Sequence, residues 1–283
     1  YVRFLPSDYS AYDKLVNDTT LQLLDHPIDY EIKGQGDFYH DPSVPTTQPT
    51  YQYATVPLNY KAPSGIGFEI LDELYLPEMD ATLQNADGRI STAFESFAEA
   101  LEDEALSITG HMNNDGTSAS AHETESVARN RSKWTPAGRV MVWDSRLNKH
   151  IPLEGVKVRA RRWFTVREAI TDKSGYFKMD RSFRYDANYT IVWERSKFDI
   201  RSGTFGQAKL NGPKKRGDWN ITIEPKTLSF HYAHVFRAAM RYYYGDIGGL
   251  KRPGFRLKYA VFNKKGKHIA RNLGNWSVFG ANP

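Results

Sequence analysis

The sequence predicts an α+β fold, an antiparallel β-sandwich with flanking helical and extended segments. Three observations lead there. Between residues 134 and 225, apolar and polar side chains alternate with period two, as in GRVMVWD (138–144), GVKVRAR (155–161) and YTIVWE (189–194). A compact turn, TDKSGYF (171–177), lies between two such runs. Residues 227–245, TLSFHYAHVFRAAMRYYYG, then change to steps of three and four.

Taken in order, the chain divides into four regions. Residues 1–66 form an extended, aromatic and proline-rich N-terminal segment. Pro6, Pro27, Pro42, Pro45, Pro49, Pro57 and Pro63 exclude long regular elements there. Its many tyrosines and phenylalanines are foreign to a disordered tail, so the segment is expected to lie on a neighbouring domain and bury its rings. A short helix is expected within 10–24, with Leu15, Leu21 and Leu23 as its apolar content.

Residues 67–133 are a helical region and a polar linker. GFEILDELYL (67–76) is one short helical candidate. In Arg89–Ile108, the side chains of Ile90, Phe94, Phe97, Leu101, Ala105 and Ile108 share a helical face, with Asp87 as a cap and Gly110 as a stop. Its acidic side, Glu95, Glu99, Glu102, Asp103 and Glu104, reads as a solvated face. Residues 111–133 are small and polar without periodicity, which marks a domain boundary.

Residues 134–225 are the sandwich. Val140, Val142, Val156, Val158 and Ala160 are its inward positions, and the intervening Lys157, Arg159 and Arg161 make a basic face. In the turn, Asp172 is expected to accept backbone N–H bonds, Gly175 to take a positive φ, and Phe177 to enter the core. Residues 226–283 read as a helix plus a β-hairpin, the start of a further domain. Leu228, Tyr232, Val235, Ala239 and Tyr242 share the helix face, and Gly245 fits the left-handed position after it. Tyr259–Ala270 reads as the hairpin, turning at Asn263-Lys264-Lys265-Gly266.

Composition narrows the function. The 283 residues contain no cysteine, which removes disulfides, thiolate nucleophiles and thiolate metal sites. No apolar run reaches the length of a membrane span. The chain starts at Tyr1 without a basic-then-apolar leader, so it reads as a mature or trimmed product. Charge is unevenly spread: residues 1–130 hold 6 Lys/Arg against 22 Asp/Glu, and residues 131–283 hold 32 against 11. Such a split suits either a basic surface for an anionic ligand or an acidic half packed on a basic one, and the internal pairing is preferred. A nucleic-acid partner is not expected.

Catalytic patterns are incomplete. His122-Glu123-Thr124-Glu125-Ser126 approaches His-Glu-x-x-His, but its fifth position is Ser and its surroundings read as loop. His231 and His234 share a helix face and read as hydrogen-bonded interface histidines. His111, Asn113, Asn114 and Asp115 offer oxygen ligands at a spacing that fails the EF-hand loop. There is no Gly-x-Ser-x-Gly elbow and no phosphate-cradling glycine pattern; GDIGG (245–249) follows a helix where such a loop precedes one. Paired carboxylates for glycoside hydrolysis depend on a three-dimensional separation and stay open. No residue is assigned as catalytic or metal-binding. Candidate binding residues are Trp143, Arg159, Arg161 and Trp163, where cations and rings mix, with Phe164 alongside.

The segment from Gly138 to Met179 resembles the carboxypeptidase regulatory-like (transthyretin-like) sandwich. The matching marks are Gly138–Asp144, Pro152-Leu153-x-Gly155-Val156-x-Val158 and Thr171-Asp172-x-x-Gly175-x-Phe177. Domains of that family are usually non-catalytic appendages on peptidases and surface proteins. YVRFLPSDYSAYDKLVNDTTLQLLDHPIDYEI, YHDPSVP and HVFRAAMRYYYGDIGGLKRP resemble surface lipoproteins of the Bacteroidota that continue into a zinc-peptidase-like segment.

These resemblances imply a non-catalytic, exported lipoprotein at the cell surface or outer membrane, or a fragment of one. It would be a structural and protein-docking module without a cofactor in this chain. Its partner would be a protein or an adjoining domain, with glycan as a further candidate. Its membrane attachment would be only a lipid anchor upstream of Tyr1. Two alternatives remain: the N-terminal part of a secreted zinc metallopeptidase whose His-Glu-x-x-His follows residue 283, the parent then carrying zinc, and a carbohydrate-binding module.

Overall fold

Hydrogen bonds at Asp172–Gly175 set the geometry of the middle of the molecule. In the computed structural model, Asp172 Oδ1 accepts the N–H of Ser174 at 2.7 Å and of Tyr176 at 3.0 Å. The Ser174 hydroxyl and these N–H groups hold the carboxyl below its ordinary range. Gly175 sits at φ +75°, where a Cβ would come within 2.5 Å of the Val140 carbonyl oxygen, so both the backbone angle and the space require glycine. The buried Thr171 hydroxyl donates to Leu153 O at 2.6 Å and accepts from Val156 N–H at 2.8 Å. The Pro152–Val156 corner and the 171–177 turn are thereby joined.

The structure describes residues 1–18, 20–30, 32, 39–74, 133–163, 165–202, 206–262 and 276–280, with single helical positions at 97, 100, 101, 104 and 108. The helix expected over 89–108 lies almost wholly outside them. So do the polar linker up to residue 132, His122–Ser126, the His111–Asp115 group and Phe164.

Two sheets form the sandwich. One orders β7 (Thr165–Ile170), β6 (Lys157–Arg162), β9 (Ala187–Val192) and β13 (Lys209–Lys215), with every pair antiparallel. The other centres on β4 (Ala137–Asp144), which pairs on one edge with β5 (Lys149–Pro152) and β8 (Tyr176–Lys178) and on the other with β14 (Trp219–Ile223). The β4–β14 pair is parallel, so the sandwich is mostly and not wholly antiparallel. Between the sheets lie Val140, Val142, Val156, Val158, Phe177, Tyr189, Ile191, Trp219 and Ile221, all buried in one cluster. The expected alternation is seen: Val140, Val158 and Ala160 are fully enclosed while Arg139 stays outside.

A third sheet extends the body. It orders β10 (Glu194–Arg195), β11 (Phe198–Ser202), β15 (Leu257–Phe262) and β16 (Trp276–Gly280), with β12 (Gly206–Gln207) also on β11. The β11–β15 and β15–β16 pairs are parallel. Of the hairpin expected over 259–270, Tyr259–Phe262 falls in β15, while its turn and second strand, within residues 263–275, lie outside the described set; the next described strand, β16, runs alongside β15 in the same direction. Helix α2 (Leu228–Tyr244) is capped by Thr227, whose hydroxyl accepts from Phe230 N–H. It buries Tyr232, Ala233, Phe236, Ala239 and Tyr243 against the same core, a stripe turned slightly from the expected one. Gly245 is not left-handed. It is extended, at φ −90° and ψ 176°, and a Cβ there would press within 2.6 Å of Arg241 O, the carbonyl that accepts its own N–H.

The N-terminal segment folds back on itself. Strand β1 (Val2–Leu5) pairs antiparallel with β2 (Gln52–Ala54) and β3 (Gly67–Ile70). The helix expected at 67–76 is thus a strand over its first four residues; edge pairing to β1, with Arg3 bonded to Glu69 across the strands, outweighs local helical preference. Helix α1 (Tyr9–Asn17) begins at Asp8, whose side chain accepts from Ala11 N–H at 2.9 Å. Val2, Phe4, Ala11, Leu15, Ala54 and Ile66 give this segment a small core of its own.

Candidate functional site

Strand β6 points alternate side chains outward, and those side chains are cations. Each meets a partner within the chain. Register places Arg159 opposite Glu168 on β7, and the guanidinium grips Glu168 Oε1 through Nε at 2.9 Å and Nη2 at 2.7 Å. Lys157 donates to Glu194 at 2.7 Å. Burial opposes the Glu194 charge, but Lys157 and Arg256 overcome it and hold the carboxyl below its usual range. Arg161 is 4% exposed, covered by the N-terminal segment. Its Nη2 lies 3.2 Å from His26 Nε2, and His26 Nδ1 lies 2.8 Å from Asp25. A guanidinium has no acceptor, so it donates to a lone pair on Nε2, which fixes the proton on Nδ1 facing Asp25. With that lone pair occupied, His26 is placed as a connector and not as a base. Burial, then neighbouring Arg159, draws Arg161 down to about 10, so it remains cationic near neutral pH.

The second nitrogen of Arg161, Nη1, donates to the Trp163 carbonyl at 3.2 Å. Trp163 stands at the β6–β7 tip with φ +50° and is 52% exposed. That backbone region disfavours bulky side chains by on the order of 1–2 kcal/mol. Trp163 lines a shallow groove together with Tyr1, Leu24, Ile28, Arg161 and Val166.

Three of the four residues singled out by sequence therefore gather at this tip, although Arg159 and Arg161 are engaged within the fold. Trp143 does not join them. It lies on the outward side of β4, in the other sheet, with its ring 4.9 Å from that of His150 and its carbonyl accepting from His234 Nε2 at 3.1 Å. Desolvation holds His234 below the ordinary histidine range, consistent with a neutral donor. His231 and His234 both pack on the Phe230 ring. Among the described residues, no three His, Asp or Glu side chains gather as a metal site requires. No described helix is long and apolar enough to cross a membrane.

A second cluster was not anticipated. Asp199 and Arg201 on β11 are both fully buried and lie 2.6 Å apart. Arg256 adds a contact to Asp199 at 3.7 Å, and Asp13 of α1 reaches Lys258 at 3.0 Å and Arg201 at 4.0 Å. The run Phe198-Asp199-Ile200-Arg201 alternates as a half-exposed strand does, so sequence pattern places its charges in water. Asp13 of α1, with Arg256 and Lys258, meets that face and contributes to keeping the pair from water. Asp25 and Lys209 close the same junction at 3.4 Å. Burial works against the Asp25 charge, yet Lys209 and His26 hold its carboxyl far below the ordinary range.

Comparison with known proteins adds little to this geometry. No family model matches the chain. No curated protein matches it. Among solved structures, it is similar to 5-hydroxyisourate hydrolase of Klebsiella pneumoniae, at 16% identity over 33% of this chain and 93% of that one, with a TM-score of 0.22. It is also similar to a 9R-lipoxygenase from Cyanothece PCC8801, at 14% identity over 47% of this chain and 24% of that one, with a TM-score of 0.19. At these scores neither likeness bears on fold or chemistry, and the β-sandwich rests on its own strand pairing.

Proposed function

We propose that this chain is a non-catalytic docking module of an exported surface lipoprotein, its sandwich a rigid platform for a protein partner or an adjoining domain. The observation that carries this reading is Trp163. A half-exposed indole is held in a costly backbone conformation by Arg161, which is itself held by His26 and Asp25. Strain kept at an exposed aromatic suits a binding anchor. The join between Thr171 and the Leu153–Val156 corner supports assigning the sandwich to the regulatory-like family. Export, lipid anchoring and surface exposure are supported by the resemblance of the N-terminal and α2 segments to Bacteroidota lipoproteins.

A photo-crosslinking residue placed at position 163 of the parent polypeptide, irradiated on intact cells, is expected to give a discrete protein adduct or an internal crosslink. Protection of that site without any crosslink, or crosslinking to glycan alone, overturns docking. Cleavage of a protein substrate by this chain with added zinc, abolished by chelator, overturns the non-catalytic reading. External protease that leaves the region intact while removing a known surface marker overturns surface exposure.

A further inference from the structure

Away from the Trp163 tip, the described residues of the N-terminal segment, β13 and the start of α2 enclose a cleft of about 520 Å³. That volume lies within the usual range for small-molecule sites, roughly 300–1,000 Å³. Its chemistry is specific. Four side-chain amides line it, those of Gln48, Gln52, Gln207 and Asn211. An amide both donates and accepts, which matches hydroxyl groups. Gln207 turns its Nε2 towards the Ile200 carbonyl at 3.2 Å, and its Oε1 is enclosed with no hydrogen-bond partner among the described residues.

Three tyrosines complete the walls, Tyr9, Tyr12 and Tyr232. Desolvation pushes the Tyr12 and Tyr232 phenols up to about 12, so both stay neutral. Aromatic faces beside neutral hydrogen-bonding groups fit a ligand with apolar C–H faces and hydroxyl edges. Charge selects nothing here. Asp25 and Lys209 compensate each other, and His40 is engaged with the Val44 carbonyl at 2.9 Å. A phosphate or carboxylate ligand would need an uncompensated cation. Pro49 and Leu228 are the only aliphatic hydrocarbon side chains among the described lining residues, so sockets for peptide side chains are few.

We propose that this cleft is a binding site for a neutral di- or trisaccharide. The site is separate from the docking surface, and its existence does not depend on that reading. Calorimetric titration with maltotriose, cellotriose, xylotriose and chitotriose tests it. At least one is expected to bind with a Kd below about 1 mM. Gln48→Ala, at an exposed position, is expected to weaken that sugar about tenfold, and Ser229→Trp to abolish binding by filling the cleft, both with unchanged circular dichroism. No heat from any of the four at about 10 mM overturns the proposal. So does binding that neither variant weakens, or binding of trialanine in place of every sugar.

Discussion

The sandwich and the junction with the N-terminal segment are held by different forces. Between the sheets, the contacts are apolar and aromatic: Phe177 and Trp219 both pack on Tyr189, and Val140 and Val158 are enclosed beside them. At the junction the contacts are largely Asp13 to Lys258, Asp25 to Lys209 and Arg161 to His26, with the Tyr12 hydroxyl accepting from Gln207 N–H at 3.3 Å. Apolar burial responds weakly to pH and salt, whereas charge pairs respond to both. One molecule therefore contains a firm platform and a clasp whose strength depends on conditions.

The comparison breaks most readily at the platform. Phe177→Ala removes a buried ring and should cost about 4 kcal/mol in urea unfolding, equally at low and high salt. A loss that shrinks as salt rises would show that charges, too, hold the sheets. Next comes Asp199→Ala, which leaves the buried Arg201 without its nearest anion and should cost about 3 kcal/mol. The double replacement Asp199→Leu with Arg201→Met should recover most of that loss. If it is as unstable as the single variant, the pair contributes more than mutual compensation.

The clasp should respond to acid. Asp25 titrates lower in the folded chain than when unfolded. Its contribution is therefore present above about pH 4 and is lost as pH falls from there towards its folded value. Proteolytic nicking between residues 18 and 50 should rise on going from about pH 5 to pH 3, measured with one acid-active protease and corrected on an unfolded peptide. Asp25→Asn should raise nicking at neutral pH and flatten the acid response. An unchanged profile would place the clasp's strength in its tyrosines. The smallest effect is expected at Glu168→Gln. Its pair with Arg159 is partly exposed, so melting should change by less than about 1 kcal/mol.

Much of the platform was legible because strand periodicity and turn chemistry are local. Val140 and Val142 on one side of β4, and Asp172 with Gly175 in the turn, follow from neighbours in sequence. The caps of α2 were partly legible: its end at Gly245 was, but the backbone angle was not, since glycine meets a crowded carbonyl as readily as a positive φ. Residues 67–70 misled because a four-residue strand gains its stability from β1, more than sixty positions earlier. The candidate site was divided in the same way. Cations beside Trp163 were visible in the sequence, but the burial of Arg161 under His26 was not.

The sequence by itself determined where the chain alternates, where it turns and where it coils, since each depends on side chains a few positions apart. It also determined that the first half is acidic and the second basic. Only the tertiary structure decided that β4 and β14 run parallel, that Asp13 of α1 meets Arg201 and Lys258, and that four amides and three tyrosines meet in one cleft. Those pairings join residues from tens to more than two hundred positions apart. What brings them together is the burial of apolar surface shared by the whole fold, which no local pattern records.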